Sequence, residues 1–147
     1  MAKLIKHKLG ITTGGYTFDF VFHRPVTVIN GKSAIGKSLF FNKLKTYCAA
    51  NKIDDFVFIN YLTPASSIGA LLKLKNKVFI IDNADVLMKL PRDYYENDNS
   101  NQYIFLGRLI YHYTLDLVGV AAIIEDIPNK RFGLWYPNAD TEVKDNK

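Results

Sequence analysis

Asn30-Gly31-Lys32-Ser33-Ala34-Ile35-Gly36-Lys37-Ser38 is the stretch on which the reading of this chain turns. Gly31, Gly36, Lys37 and Ser38 stand in the spacing G-x-x-x-x-G-K-[ST]. A second Gly-Lys-Ser, at 31–33, would need a glycine at position 26, which is Val26, so only one register works. Each residue type has a task in holding an anion. Gly31 and Gly36 let the chain curl with positive φ and approach phosphate oxygens closely. The backbone N–H groups then converge on the anion, and the helix that follows aims its positive end there. Lys37 reaches the outer phosphates of a nucleoside triphosphate, and the Ser38 hydroxyl ligates the accompanying Mg²⁺. Asn30, Gly31, Lys32, Ser33, Ala34, Ile35, Gly36, Lys37, Ser38 and Leu39 are therefore the expected phosphate-binding residues.

The flanks supply the context that this pattern requires. Val26-Thr27-Val28-Ile29 is β-branched and bounded by Pro25 and Asn30-Gly31, the signature of a buried strand. From Lys37 to Tyr47, Leu39, Phe40, Leu44 and Tyr47 recur at helical spacing. Upstream, Leu4 to Leu9 alternates weakly, Thr12 to Gly15 reads as a turn, and Tyr16 to Phe22 alternates as a half-buried strand does. Those first thirty residues read as antiparallel strands. Downstream, Phe56–Ile59, Val78–Ile81 and Gln102–Leu106 read as short apolar strands, Ser66–Lys75 as a helix and Asp85–Leu90 as a short helix stopped by Pro91. Asp93 to Asn101 is a polar loop by composition. Val118–Ile124 and Phe132–Tyr136 flank a turn-rich Asp-Ile-Pro-Asn-Lys and read as a hairpin. Residues 138–147 are polar and read as a frayed tail. Alternation in the middle implies a mostly parallel sheet with crossover helices, carrying antiparallel strands at the N-terminus and a hairpin at the C-terminus. The expectation is one α/β domain over 1–147.

Lys77-Val-Phe-Ile-Ile-Asp82 has four apolar residues ending in a carboxylate. The expectation places this strand beside the strand leading into Gly31, with Asp82 meeting the Mg²⁺ held by Ser38. The competing role for Asp82 is to cap the next helix.

With these two motifs the chain resembles the P-loop NTPases, and within them the ATPase branch that includes ABC-type and AAA-type domains. The resemblance covers roughly Tyr16 to Arg108. It implies a three-layer P-loop fold, ATP as the nucleotide with Mg²⁺, and Lys37 and Asp82 as catalytic participants. An aromatic residue before the loop often stacks on adenine in such domains, and Tyr16 is the candidate; its other role is a strand-face aromatic of the core. Arg108 follows the end of a strand, where sensor residues of related ATPases sit and where ligands line parallel sheets; a solvated surface arginine is the plainer role.

The departures bear on turnover. That branch usually carries Glu directly after the acidic residue of the second motif, whereas this chain has Asn83, which cannot act as a base. Asp85 is the substitute nearest in sequence, with helix N-capping as its alternative. Glu125 is a further carboxylate near a strand end, with a weaker claim. Ser66-Ser67-Ile68-Gly69 lies too close to Asp82 to be a signature helix of the ABC kind. Asn76-Lys77 is followed by Val-Phe, so a guanine-reading N-K-x-D is absent in a useful position. Three functions follow: a slow or partner-stimulated ATPase acting as a switch or assembly factor, a nucleotide-binding adaptor without turnover, and a small-molecule or nucleoside kinase. The kinase suffers from its lid, Arg92 to Asn101, having one arginine.

Composition narrows the partners. A net charge of +5 suits an acidic ligand, but no run of five or six basic residues occurs, so nucleic acid is only weakly indicated. Cys48 is the only cysteine, which removes internal disulfides and fits a reduced, cytoplasmic setting. No stretch approaches the roughly 20 apolar residues of a membrane span. A protein partner or a second copy is compatible with the ten Phe and nine Tyr, an exposed subset of which could form a contact surface.

Overall fold

A computed structural model describes residues 4–30, 34–82, 100–107 and 118–137. Eight strands form one sheet: β1 (Lys8–Thr13), β2 (Tyr16–Val21), β3 (Val26–Asn30), β4 (Phe56–Ile59), β5 (Val78–Ile81), β6 (Gln102–Leu106), β7 (Val118–Asp126) and β8 (Arg131–Trp135). Two helices accompany them, α1 (Ala34–Ala50) and α2 (Ala65–Leu71). The order across the sheet is β1-β2-β8-β7-β3-β6-β5-β4.

The run β7-β3-β6-β5-β4 is parallel throughout. β1 pairs antiparallel with β2, β8 antiparallel with β7, and β2 parallel with β8. Two sequence expectations need correction here. β3 is not one of a set of antiparallel strands, since it pairs parallel with both β6 and β7. The C-terminal hairpin is not an appendage either: β7, its first strand, belongs to the parallel set. The run Val118–Ile124 pairs with β3 through Val118–Ala122, whose small side chains fit beside the buried β3.

The connections explain the layers. From β3 the chain crosses β6 and β5 to reach β4, and from β4 it steps back to β5. Right-handed crossovers running in opposite directions must lie on opposite faces. Accordingly, α1 packs through Phe40, Phe41, Leu44 and Cys48 against Ile29, Ile80, Ile104 and Leu106. Ile68 and Leu71 of α2, with Leu72, pack on the other side against Val57, Phe79, Ile81 and Phe105. Alternate residues of the same strands thus feed two separate cores.

The antiparallel strands curl over the face that holds α1. Phe18 and Phe20 of β2 and Phe132 of β8 join the α1 core, with Phe18 stacked on Phe132 at 5.0 Å and Phe20 against Phe40 at 4.5 Å. The β1–β2 turn is made by Gly14 and Gly15 at φ 56° and 82°. A two-residue hairpin that matches strand twist needs positive φ at both positions, which glycine supplies at least cost. The residues before β1 run beneath the parallel strands. There Gln102, fully buried, accepts the N–H groups of Ile5 and Lys6 at 2.8 and 2.6 Å and donates to the Lys6 carbonyl at 3.1 Å.

α1 starts at Ala34, three residues ahead of the expected Lys37, and α2 ends at Leu71 rather than Lys75. The expected helix at Asp85–Leu90, most of the loop from Asp93, and the tail at 138–147 lie outside the described residues. Among the described residues no helix is long and apolar enough to cross a membrane.

Candidate functional site

The parallel strands β3, β5, β6 and β7 deliver their C-terminal ends to one edge of the sheet. β3 is the strand at which connections diverge, since the chain leaves it towards β4 on one side and returns on the other as β7. A crevice at such a divergence, outside the C-terminal ends of the strands, is the general ligand position of open parallel sheets. The N-terminus of α1 stands at this edge, with its first-turn N–H groups unsatisfied within the helix and its dipole positive there.

Gly36, Lys37 and Ser38 lie in the first turns of α1. Gly31, Lys32 and Ser33 and the side chains of Asn30, Ala34 and Ile35 lie outside the described residues. Lys37 is 8% exposed, whereas Ser38 is exposed. Leu39 is half-buried against the α1 core. Across the edge Asp82 is 9% exposed, fixed at the end of β5 by its N–H donating to the Ile59 carbonyl at 2.9 Å. Lysine and aspartate are rarely this buried without a charged or hydrogen-bonding partner, so both positions are specified by more than solubility.

The expected neighbourhood of Asp82 is corrected in one respect. β5 does not lie beside β3; β6 stands between them. The ladder places the apolar run Gln102–Leu106, buried at every position, in the most covered slot of the sheet. The end of β6 therefore separates Asp82 from the end of β3, and there Gly107 donates its N–H to the Ile29 carbonyl at 3.2 Å. Arg108, the next residue, and Asn83 and Asp85 lie outside the described residues.

Gly36 also serves differently from the expectation. It lies within α1, and the described glycines with positive φ are Gly14, Gly15 and Gly107. Space at Gly36 is tight: a Cβ there would stand 3.4 Å from Cγ2 of Ile123 and 2.9 Å from Oε1 of Glu125, the far end of an exposed side chain that can swing aside. Glu125, on β7, is cross-strand partner to Phe132 and shares its face, the face that holds α1.

Tyr16 lies on this same flank. It is half-buried, 6.0 Å from the Phe132 ring, with the ammonium groups of Lys43 and Lys130 each 5.5 Å from its ring centroid. Aromatic and core character are thus combined in one residue.

The donor set suits Mg²⁺ and a polyphosphate. The Ser38 hydroxyl and Asp82 carboxylate are hard oxygen ligands, and Lys37 is a cation at a helix N-terminus. Among the described residues no group of three or more His, Cys, Asp and Glu gathers to hold a metal ion. Mg²⁺ is commonly bound through one or two protein oxygens together with the phosphates of its ligand. Cys48 is not part of the site: it lies near the C-terminus of α1 on its buried face, and that burial pushes its thiol up, with the Asp55 charge adding to the effect.

Comparison with family models, with curated proteins and with solved structures finds no match for this chain.

Two polar positions carry more than their sequence suggested. Gln102 reads as part of an apolar strand and Asn101 as the end of a polar loop, yet both are fully buried. Asn101 accepts the Lys77 N–H at 2.9 Å and donates to the Leu74 carbonyl at 2.7 Å, locking the entry of β5. Glu125 had only its nearness to a strand end as a signal, and its register opposite Phe132 is what turns it towards α1.

Proposed function

We propose that this chain binds ATP with Mg²⁺ at the edge formed by α1, β3 and β5, and uses the bound nucleotide as a switch. The observation that carries the proposal is the pairing of sequence and placement at Lys37 and Asp82. Both charged residues of the two motifs are buried at the same edge of the parallel strands, one at the N-terminus of α1 and the other at the end of β5. Lys37 binds the β- and γ-phosphates, Ser38 and Asp82 hold Mg²⁺, and the backbone from Gly31 to Leu39 cradles the phosphates. Tyr16 offers its ring to the base.

Asn83 in place of a carboxylate favours slow or partner-stimulated hydrolysis over rapid turnover. The same residue supports the second reading, an adaptor that binds ATP without hydrolysing it. Calorimetry with MgATP tests the first step: Lys37→Ala is expected to abolish binding, and binding that survives the substitution overturns the assignment. Phosphate release, measured alone and with candidate protein partners or DNA, then separates a switch that turns over from an adaptor. Transfer of phosphate to a small molecule, without release in water, would reveal a kinase instead.

A further inference from the structure

The two edges of the sheet differ in what guards them. β1, at one edge, carries Lys8, Gly10 and two threonines, whereas β4, at the other, is Phe-Val-Phe-Ile without a charge, a glycine or a proline. An edge strand presents a row of N–H and C=O groups, and charged residues or proline are usual means of keeping other strands away. The direction of those groups in β4 follows from its ladder. Val78 donates its N–H to the Asp55 carbonyl at 2.8 Å, and Asp82 donates to the Ile59 carbonyl at 2.9 Å. Odd-numbered residues of this strand therefore bond to β5, and the N–H and C=O groups of Phe56 and Phe58 point away from the sheet. Among the described residues no strand lies on that side. Lys6, which reaches this edge, is held by Asp55 at 3.2 Å.

Outward groups on two residues spaced by one are complementary to themselves. Two β4 strands can run antiparallel about a two-fold axis at Val57. Phe56 of each copy then exchanges both hydrogen bonds with Phe58 of the other, and the two Val57 residues stand opposite as a non-hydrogen-bonded pair. The rings of Phe56 and Phe58, 6.2 Å apart and half-buried, meet their counterparts on the α1 face, and aromatic cross-strand pairs are favourable. The same axis sets residues 61–62 of each copy against residues 52–53 of the other. Tyr61 and Leu62 are 67% and 71% exposed, on a turn fixed by Asn60, which donates its N–H to Thr63 Oγ1 and accepts the Leu62 N–H on Oδ1, each at 3.0 Å. In the pair these two side chains cover Ile53, itself half-buried, and the stem of Lys52. Charge does not oppose the arrangement. Asp54 falls opposite Asn60 of the other copy, and Lys6, Lys52, Lys77, Asp54 and Asp55 leave this edge close to neutral in a chain of net charge +5.

We infer that β4 pairs antiparallel with β4 of a second copy of this chain, about a two-fold axis at Val57, and so joins two sheets into one. The occupant is a second copy because backbone groups, rings and charges all match in the self-pairing.

Sedimentation equilibrium of the full chain tests the association, and the parent is expected to dimerise at micromolar concentration. Leu62→Lys brings a second ammonium group beside Lys52 of the other copy and is expected to weaken the dimer about tenfold without changing the circular dichroism spectrum. Adding Lys52→Glu to that variant is expected to restore the affinity. Val57→Cys is expected to form an intermolecular disulfide on mild oxidation, since non-hydrogen-bonded antiparallel partners have Cα atoms about 4.5 Å apart. Asp54→Cys is expected not to cross-link, because its two copies lie about 20 Å apart along the paired strands. Cys48 is buried and offers no competing thiol. A dimer that is indifferent to Leu62→Lys, or that cross-links through Asp54→Cys as readily as through Val57→Cys, is joined elsewhere and overturns the inference. A chain that is monomeric at every concentration leaves the edge to a different protein and overturns it too.

Discussion

β5 and β6 are buried at every position, whereas β1 alternates buried and exposed along its length. The parallel half of the sheet is covered on both faces, by α1 on one and α2 on the other. The antiparallel half, β1, β2 and β8, turns one face onto α1 and leaves the other open, with Trp135 at 56% exposure. The difference teaches how the two halves divide their work. The doubly covered half is the rigid platform that fixes the ends of β3 and β5, and with them Lys37 and Asp82. The singly covered half is a wrap that brings Glu125 and Tyr16 to the flank of α1.

If that division holds, deletions in the two halves must differ widely in cost. Phe79 is fully buried and stacks on Tyr103 at 5.2 Å. Phe79→Ala is expected to destabilise the protein by about 3–5 kcal/mol. Trp135→Ala, in the wrap, is expected to cost less than about 1 kcal/mol despite its larger side chain. Chemical denaturation of the two variants decides the matter, and equal costs would break the comparison.

The halves are tied together beneath the sheet by the residues preceding β1. Gln102→Ala leaves the Ile5 and Lys6 N–H groups without their acceptor and the Lys6 carbonyl without its donor. The expected cost is about 2 kcal/mol. Hydrogen exchange should show the amides of Ile5 and Lys6 accelerated strongly and those of β5 scarcely changed. Equal acceleration in β5 would mean that the wrap and the platform unfold as one unit.

At the other junction the size of an effect can be tuned. Gly36→Ala places a Cβ 2.9 Å from Glu125 Oε1, the far end of an exposed side chain that can swing aside, so moving the carboxylate is expected to offset only part of the gain in helix propensity of about 1 kcal/mol. In a Glu125→Ala background that contact is gone and only the one with Ile123 at 3.4 Å remains. There the same substitution is expected to be more stabilising, as measured in a double-mutant cycle. A Gly36→Ala effect that is unchanged by removing Glu125 would put the carboxylate elsewhere in solution.

The same division sets what was legible in the sequence. Phe56–Ile59, Val78–Ile81 and Gln102–Leu106 coincide with β4, β5 and β6, because strands buried on both faces read as uninterrupted apolar runs. Their order was not legible: a short apolar run carries no mark of its neighbour, so β6 enters between β3 and β5 unannounced. β7 looked like half of a local hairpin because its pairing with β8 is close in sequence, while its pairing with β3 spans about ninety residues and leaves no local trace. At the site, Gly36, Lys37, Ser38 and Asp82 could be named from spacing and strand ends. Glu125 could not be placed, because its orientation depends on register, and a slip of one residue would turn it to the other face.

The smallest effect lies at the edge of the platform, where Lys6 reaches across to Asp55. The ammonium and the carboxylate stand 3.2 Å apart with both side chains partly exposed, and Lys6 also lies 5.8 Å from the Phe56 ring. The hydrogen bond from Lys6 is the main cause that holds the Asp55 carboxyl below its usual range. A carboxylate depressed by folding contributes stability above its unfolded pKa, about 3.9, and loses it as pH falls through the lower, folded value. Solvent screening limits the contribution to a few tenths of a kcal/mol. Asp55→Asn is therefore expected to melt slightly below the parent at about pH 7 and to converge with it once the pH falls below the folded pKa of Asp55, where both side chains are neutral. A difference that persists at the acid end would show that Asp55 acts through the backbone entering β4, and that this tie between the halves does not depend on charge.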